Sequence, residues 1–138
     1  MTSKVFIDTN ILVYALDQHD PDKHNKSRSC LRQLAETSGG VISTQVMQEF
    51  YVTATKKLQV DALLVKEILH SFAQFEIVLI SPEIIDRAVD CQILNQISFW
   101  DALIVSAAQS ACCGVLWTED LNHGQIIQEV KIENPLIL

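Results

Sequence analysis

Residues 4–10 read Lys4-Val5-Phe6-Ile7-Asp8-Thr9-Asn10, a short apolar run that ends at a carboxylate. An unbroken apolar run is typical of a strand covered on both faces, as in a parallel sheet. The apolar character resumes directly afterwards, as expected for a short helix over Ile11-Leu12-Val13-Tyr14. Asp8 is therefore predicted at the carboxyl end of a central strand, the edge where open α/β sheets bind ligands.

Strand and helix signals alternate along the rest of the chain. Further short apolar runs predict strands at 41–43, 77–80 and 115–118, with a possible short fifth strand at 130–132. Amphipathic or capped segments predict helices from 21 to before 39, and at 44–58, 61–73, 82–94 and 98–114. This alternation predicts one α/β domain over residues 1–138 with a mainly parallel sheet of four or five strands.

Composition narrows the range of functions. About half of the 138 residues are apolar, without a run long enough to span a membrane and without a signal-peptide pattern. The four cysteines have neither zinc-site nor disulfide-framework spacing, which fits a reducing cytoplasm. A net charge of −7 argues against a duplex-DNA binder with a broad basic face. It leaves open a nucleic acid held through metal ions bound by acidic residues.

Four carboxylates are predicted to approach one another. They are Asp8 and Asp120 after strands, Glu49 early in a helix that follows a strand, and Asp101 at the start of a nearly apolar helix. Each has an ordinary alternative: a helix cap, a turn, a solvated helix acid, and a capping box with Ser98, respectively. Taken together they predict a crowded acidic site, and oxygen ligands of this kind select Mg²⁺ or Mn²⁺ over zinc.

Short polar, basic and aromatic residues are weaker candidates. Roles in orienting metal ligands or water are expected for Thr9, Asn10 and Thr118, with turn and cap chemistry equally open. A helix that grips RNA phosphates is one interpretation of Lys23, Lys26, Arg28 and Arg32, and a solvated helix face is the preferred one. Trp100 and Trp117 are expected to pack rather than to stack on bases, and His123, which lies in the Asp120 loop, is expected near the site.

Four motifs together resemble the PIN-domain ribonucleases, in particular the VapC-type toxins of toxin–antitoxin pairs. In chain order they are residues 6–10 (FIDTN), 48–50 (QEF), 98–104 (SFWDALI) and 118–124 (TEDLNHG). The resemblance covers essentially the whole chain. It implies a three-layer α/β/α sandwich, an acidic pocket, divalent-metal hydrolysis of single-stranded or tRNA-like RNA, a homodimer, and an antitoxin that plugs the pocket.

The resulting hypothesis is an Mg²⁺- or Mn²⁺-dependent endoribonuclease. Asp8 and Asp101 would hold the principal ion, with Glu49 and Asp120 completing the cluster directly or through water, and either of these two accepting a proton. In-line attack would leave 5′-phosphate and 3′-hydroxyl ends, as the resemblance implies. The helices at 44–58 and 61–73 are expected to offer apolar surface to a dimer or antitoxin partner.

Other functions are less compatible with these motifs. A phosphoacceptor receiver domain would need paired acids early in the chain, and a dehalogenase-type phosphatase would need an acid where Asn10 stands. A PIN module outside toxin pairs, or one that binds RNA or a protein without catalysis, remains the alternative.

Overall fold

The computed structural model describes residues 4–137 and contains one six-stranded sheet. The strands are β1 (Val5–Ile7), β2 (Gly40–Ser43), β3 (Glu76–Val78), β4 (Val115–Trp117), β5 (Ile126–Ile127) and β6 (Val130–Glu133). Their spatial order is β3-β2-β1-β4-β6-β5, and every neighbouring pair is parallel except β5 with β6. The sheet is therefore mainly parallel, as predicted.

The connections from β1 through to β4 are helical, and two groups of helices flank the sheet. The helices are α1 (Thr9–Leu16), α2 (Pro21–Thr37), α3 (Thr44–Val52), α4 (Ala62–Ser71), α5 (Pro82–Asn95) and α6 (Phe99–Ser110). In one group α1 packs on α2 and α3, and in the other α5 packs on α6, which covers β2, β4 and β6. This arrangement confirms the α/β/α sandwich.

β1 forms the centre of the sheet because its side chains are covered on both faces. Phe6 and Ile7 are completely buried, and Phe6 lies opposite Val41 of β2 and Leu116 of β4. Burial of such side chains contributes about 1.5–3 kcal/mol each to folding. The apolar run that identified this strand therefore also fixes where its carboxyl end, and Asp8, must lie.

Helix starts follow the capping residues that the sequence indicates. The side chains of Asp20, Ser81 and Ser98 accept hydrogen bonds from backbone N–H groups in the first turns of α2, α5 and α6. Proline occupies the first turn of α2 and of α5, where its missing N–H leaves no bond unmade. These caps place Asp101 in the first turn of α6.

Several sequence expectations are corrected by the structure. The third strand is 76–78 rather than 77–80, and Leu79 is 73% exposed because the chain has already left the sheet. The sheet has six strands rather than four or five, since the short β5 pairs with β6 in a hairpin. The segment predicted as one helix at 44–58 is α-helical in its first part and then continues as a π-helical segment from Thr53 to Lys57. Trp100 does not pack in the core: it is 63% exposed.

Two expectations from composition can also be compared with the described part of the chain. No helix within residues 4–137 is long and apolar enough to cross a membrane. The four cysteines are all free thiols, in agreement with the absence of disulfide spacing in the sequence.

Candidate metal centre

Three of the four predicted acids meet at the carboxyl edge of the sheet. Asp8 follows β1, Asp120 lies in the loop after β4, and Asp101 is in the first turn of α6. Each offers a carboxylate oxygen, and these oxygens all lie within 4.8 Å of one another. The convergence follows from the parallel pairing of β1 with β4, which brings their carboxyl ends side by side. We call Asp8, Asp101 and Asp120 the acid cluster.

Asp8 is the buried member of the acid cluster, with 6% of its surface exposed. One carboxylate oxygen accepts the Thr9 N–H at 2.7 Å, and the other accepts the Thr118 hydroxyl at 2.7 Å. The pKa of Asp8 is raised to about 7, mainly by burial; the two hydrogen-bond donors oppose this rise, and the neighbouring charges of Asp120 and Glu49 contribute to it. A negative charge here is therefore costly unless a cation shares the space.

Asp101 and Asp120 are more accessible than Asp8. The Asp101 N–H donates to Ser98 Oγ at 3.0 Å, while its carboxylate receives no hydrogen bond within residues 4–137. Asp120 accepts the Asn10 side-chain amide at 3.0 Å, and its own N–H donates to Thr118 Oγ1 at 3.1 Å. Partial burial and the charge of Asp101 raise the pKa of Asp120. Two carboxylates thus face the cavity with free oxygen lone pairs.

Glu49 lies beside the acid cluster rather than inside it. It does not belong to the set of mutually close carboxylates, although its charge acts on both Asp8 and Asp120. Its Oε1 accepts the Thr9 hydroxyl at 2.7 Å, and its Oε2 is 3.5 Å from the Gln45 side-chain amide. The Thr9 residue therefore contacts two acids, Asp8 through its N–H and Glu49 through its hydroxyl.

The three short polar residues singled out in the sequence each donate to a different acid. Thr118 donates to Asp8, Asn10 to Asp120, and Thr9 to Glu49. Two of them also serve local backbone structure, since Thr118 accepts the Asp120 N–H and Thr9 begins α1. Both interpretations of these residues, orientation of acids and turn or cap chemistry, agree with the geometry.

The acid cluster opens into a cavity of about 560 Å³. Val13, Val52, Ile104 and Trp100 give the cavity an apolar wall. Glu49, Asp17 and Glu119 add further acids to the lining. Among residues 4–137, Lys57 is the one basic side chain in that lining. The cavity lining therefore combines many acids with several apolar side chains.

The four basic residues of α2 occupy different environments. Lys23 is nearest to the cavity, because its ammonium group lies 3.1 Å from Glu119 and 3.3 Å from the Tyr14 hydroxyl. Lys26 pairs with Asp22 at 3.3 Å and donates to a backbone carbonyl near the end of the chain. Two arginines remain exposed and form no ion pair within residues 4–137, namely Arg28 and Arg32.

Some contributors to the cavity were not identified in the sequence. Gln45 is almost completely buried and bridges two helices by donating to Glu49 and to the Trp100 carbonyl. Its position four residues before Glu49 is the spacing that brings two helix side chains together, and it could have revealed the pair. No spacing in the sequence points to Tyr14 or Lys57 as cavity residues. Tyr14 reaches the cavity only through the packing of α1, and Lys57 only through the π-helical segment. His123 is absent from the cavity lining, and its ring accepts the Asn134 N–H.

The donor chemistry of the site fits a hard divalent cation. The candidate ligands are carboxylate oxygens, with neither thiolate nor imidazole among them, and such sets suit Mg²⁺ or Mn²⁺. The buried Asn10 Oδ1 has no hydrogen-bond partner within residues 4–137, so an acceptor beside Asp120 is unsatisfied. A cation with water ligands would relieve both the carboxylate repulsion and this unpaired acceptor.

Comparison with known proteins identifies the family to which the fold belongs. A family model described as the PIN domain matches residues 5–127. Among solved structures, a toxin–antitoxin complex from Klebsiella pneumoniae is 25% identical, with 96% of this chain and 98% of that chain covered and a TM-score of 0.66. VapBC2 of Rickettsia felis, bound to a promoter DNA fragment, is 24% identical over 94% and 97% of the two chains, with a TM-score of 0.67.

A more distant structure has the same fold. VapC20 of Mycobacterium tuberculosis, a toxin that cleaves the sarcin–ricin loop, is 13% identical over 85% of this chain and 92% of that chain, with a TM-score of 0.68. No curated protein matches the sequence. The three-layer fold predicted from the sequence is thus the fold of VapC toxins.

Proposed function

Because the chain belongs to the PIN domain family, we propose that it is a Mg²⁺- or Mn²⁺-dependent endoribonuclease and the toxin of a toxin–antitoxin pair. The observation that carries the proposal is the approach of three carboxylates to within 4.8 Å at the floor of an open cavity. Such crowding disfavours the metal-free state, and a protein that only bound RNA would gain nothing from it.

In this proposal Asp8, Asp101 and Asp120 hold the metal. The bound ion supplies Lewis-acid activation of the scissile phosphate and of the attacking water. Thr118 fixes the carboxylate plane of Asp8, and Asn10 fixes that of Asp120, so that both point at a common centre. These two donors orient the ligands without binding the ion themselves.

Glu49 is the proposed proton acceptor. It lies outside the closest group of carboxylates, yet Thr9 and Gln45 hold it beside that group. A carboxylate that is not needed as a direct ligand is free to take the proton of the attacking water. In-line hydrolysis would then leave a 5′-phosphate and a 3′-hydroxyl.

RNA is the proposed substrate, drawn in by the basic side chains of α2 and by Lys57. Lys23 stands beside the cavity, and Lys26, Arg28 and Arg32 lie further along the same helix. These groups would contact phosphates on either side of the cleaved bond. VapC20, which has the same fold, is a toxin that cleaves the sarcin–ricin loop, and this supports the assignment.

A cognate antitoxin and a second copy of the chain are the proposed protein partners, in the cytoplasm. Exposed apolar side chains on α3 and α4 support this, among them Val52, Leu63 and Leu64. The Klebsiella structure, at 25% identity over nearly the whole chain, is a toxin–antitoxin complex.

The proposal is tested by incubating the pure protein with RNA in Mg²⁺, in Mn²⁺ and in EDTA, and by mapping the RNA ends. Asp8→Asn and Asp101→Asn are expected to abolish cleavage while keeping the circular dichroism spectrum of the wild type. Asp86→Asn, which changes an exposed acid on α5, serves as the control with full activity. Cleavage that persists in EDTA, or that survives both substitutions, would rule the proposal out.

A further inference from the structure

Trp100 stands out among the residues that line the cavity. Its side chain is 63% exposed, although tryptophan has the largest apolar surface of any residue and is highly buried on average. The other tryptophan, Trp117, is half-buried against the core. An indole left in water at the rim of a cavity offers a large flat face to whatever enters it.

The position of this indole is fixed from two sides. Its ring packs edge-on against Phe99 with a centroid distance of 5.3 Å, and its backbone carbonyl accepts the Gln45 amide at 3.3 Å. It lies in the first turn of α6, immediately before Asp101. The same turn therefore carries a metal-binding candidate and an exposed aromatic face.

The chemistry around Trp100 matches one nucleotide. The acid cluster is suited, with its cation, to a phosphate, and Lys57 is suited to a second phosphate. Ile104 and Val52 line the same cavity as the indole and add apolar surface, which suits a base better than a charged sugar–phosphate backbone. An unpaired base has a free aromatic face for such a wall, whereas bases within a duplex are stacked on one another.

We infer that Trp100 is a stacking platform for an unpaired base next to the scissile phosphate. This inference rests on the proposed function and deepens it by assigning a specificity-determining residue. Trp100 is a specificity residue here, since it contacts the base and leaves the hydrolysis to the acids.

The kinetic test compares Trp100→Ala and Trp100→Phe with the wild type on an unpaired RNA. One stacked base is worth a factor of about 5 to 150 in binding, so the alanine variant should raise KM by that factor with kcat little changed. The KM of the phenylalanine variant should lie between those of the wild type and the alanine variant. Leu79→Ala removes an equally exposed apolar side chain outside the cavity lining and should leave KM unchanged. The rise in melting temperature caused by Mg²⁺ should be the same in wild type and Trp100→Ala.

The binding test uses tryptophan emission in a Glu49→Gln background, which removes the proposed proton acceptor and slows cleavage. With Trp117→Phe added, Trp100 is the sole tryptophan, and an unpaired RNA of about 12 nucleotides should quench its emission where a duplex of equal length does not. The reciprocal variant, Trp100→Phe, keeps Trp117 and should lose the quenching, which provides the same comparison if the first variant folds poorly.

The outcomes separate this inference from the proposed function. If the wild type cleaves RNA but Trp100→Ala has the same KM and RNA leaves the emission unchanged, the platform is refuted and the nuclease remains. If RNA quenches Trp100 without cleavage by any variant, the nuclease is refuted and the platform remains. A blue shift that depends on protein concentration, with no effect of RNA, would show that a second protein copy covers the indole, and it would overturn the inference.

Discussion

Replacing Asp8 by Asn is expected to stabilise the metal-free protein at neutral pH, although it removes a central residue of the site. Asp8 is 6% exposed, and burial is the largest cause of the rise in its pKa to about 7. A carboxyl that must ionise inside the fold opposes folding, whereas an amide of the same shape does not ionise. The destabilising group is thus the charge itself, and Asn removes it.

The size of the effect follows from the pKa values. The ordinary pKa of this carboxyl is 3.8 and the folded value is about 7. Each unit of difference corresponds to about 1.4 kcal/mol, which sets an upper limit of about 4 kcal/mol on the gain in free energy of unfolding. Rearranging the hydrogen bond with Thr118 offsets about 1 kcal/mol of this. We expect a gain of about 2–3 kcal/mol, or roughly 10 °C in melting temperature.

The pH dependence has a definite sign. Because the folded pKa is raised, ionisation of Asp8 leaves stability unaffected below pH 3.8, lowers it progressively between pH 3.8 and about 7, and adds no further loss above that range. The advantage of Asp8→Asn over the wild type should therefore be near zero at pH 4, grow toward pH 7 and then level off.

The assay is urea unfolding in EDTA at several pH values between 4 and 8. Asp86→Asn, at an exposed position on α5, is the matched control and should follow the wild type throughout. Equal or lower stability of Asp8→Asn at pH 7.5 would refute the reasoning, as would a gain that does not change with pH.

Magnesium should reverse the order of stability. A ligand that binds only the folded state at about 1,000 times its Kd adds about 4 kcal/mol, which exceeds the gain of about 2–3 kcal/mol expected from Asp8→Asn. The wild type should gain this stabilisation in Mg²⁺, and Asp8→Asn should gain little. The same substitution thus stabilises the metal-free protein and weakens the binding of the metal.

The remaining predictions concern the donors, the substrate contacts and the core. Thr118→Val removes the hydroxyl that donates to Asp8, and the Mg²⁺ concentration for half-maximal cleavage should rise about 10- to 100-fold. Replacing Arg28 and Arg32 by Gln should weaken single-stranded RNA binding, measured by fluorescence anisotropy. The slope of log affinity against log salt should become shallower by about 0.7 for each phosphate that an arginine no longer neutralises. Leu116→Ala empties a fully buried position and should cost about 2–5 kcal/mol in urea unfolding.

Much of the fold was predictable because local chemistry and long-range structure agree in this chain. The run at residues 5–7 is apolar because β1 is covered on both faces, and capping residues mark the true starts of three helices. The position of the third strand was predicted wrongly because Leu79 and Ile80 continue the apolar run after the strand has ended. Short apolar runs do not reveal where pairing stops. The two-residue β5 is likewise too short to produce a pattern.

The approach of two of the acids was predictable from the sequence, and the geometry of the candidate site was less so. Strand-end positions indicated Asp8 and Asp120 because parallel neighbours bring their carboxyl ends together. Glu49 lies outside the acid cluster because of how the side chains of α3 pack, and the spacing of residues in the sequence does not reveal this packing. Trp100 was expected to pack because it flanks a core segment, yet its side chain is 63% exposed.

The most direct test of the account is anomalous diffraction from crystals of the wild-type protein soaked in Mn²⁺. We predict a manganese peak at bonding distance from carboxylate oxygens of Asp8, Asp101 and Asp120. A peak bound elsewhere, or an empty acid cluster at millimolar Mn²⁺, would contradict the claim that these acids converge to hold a metal ion.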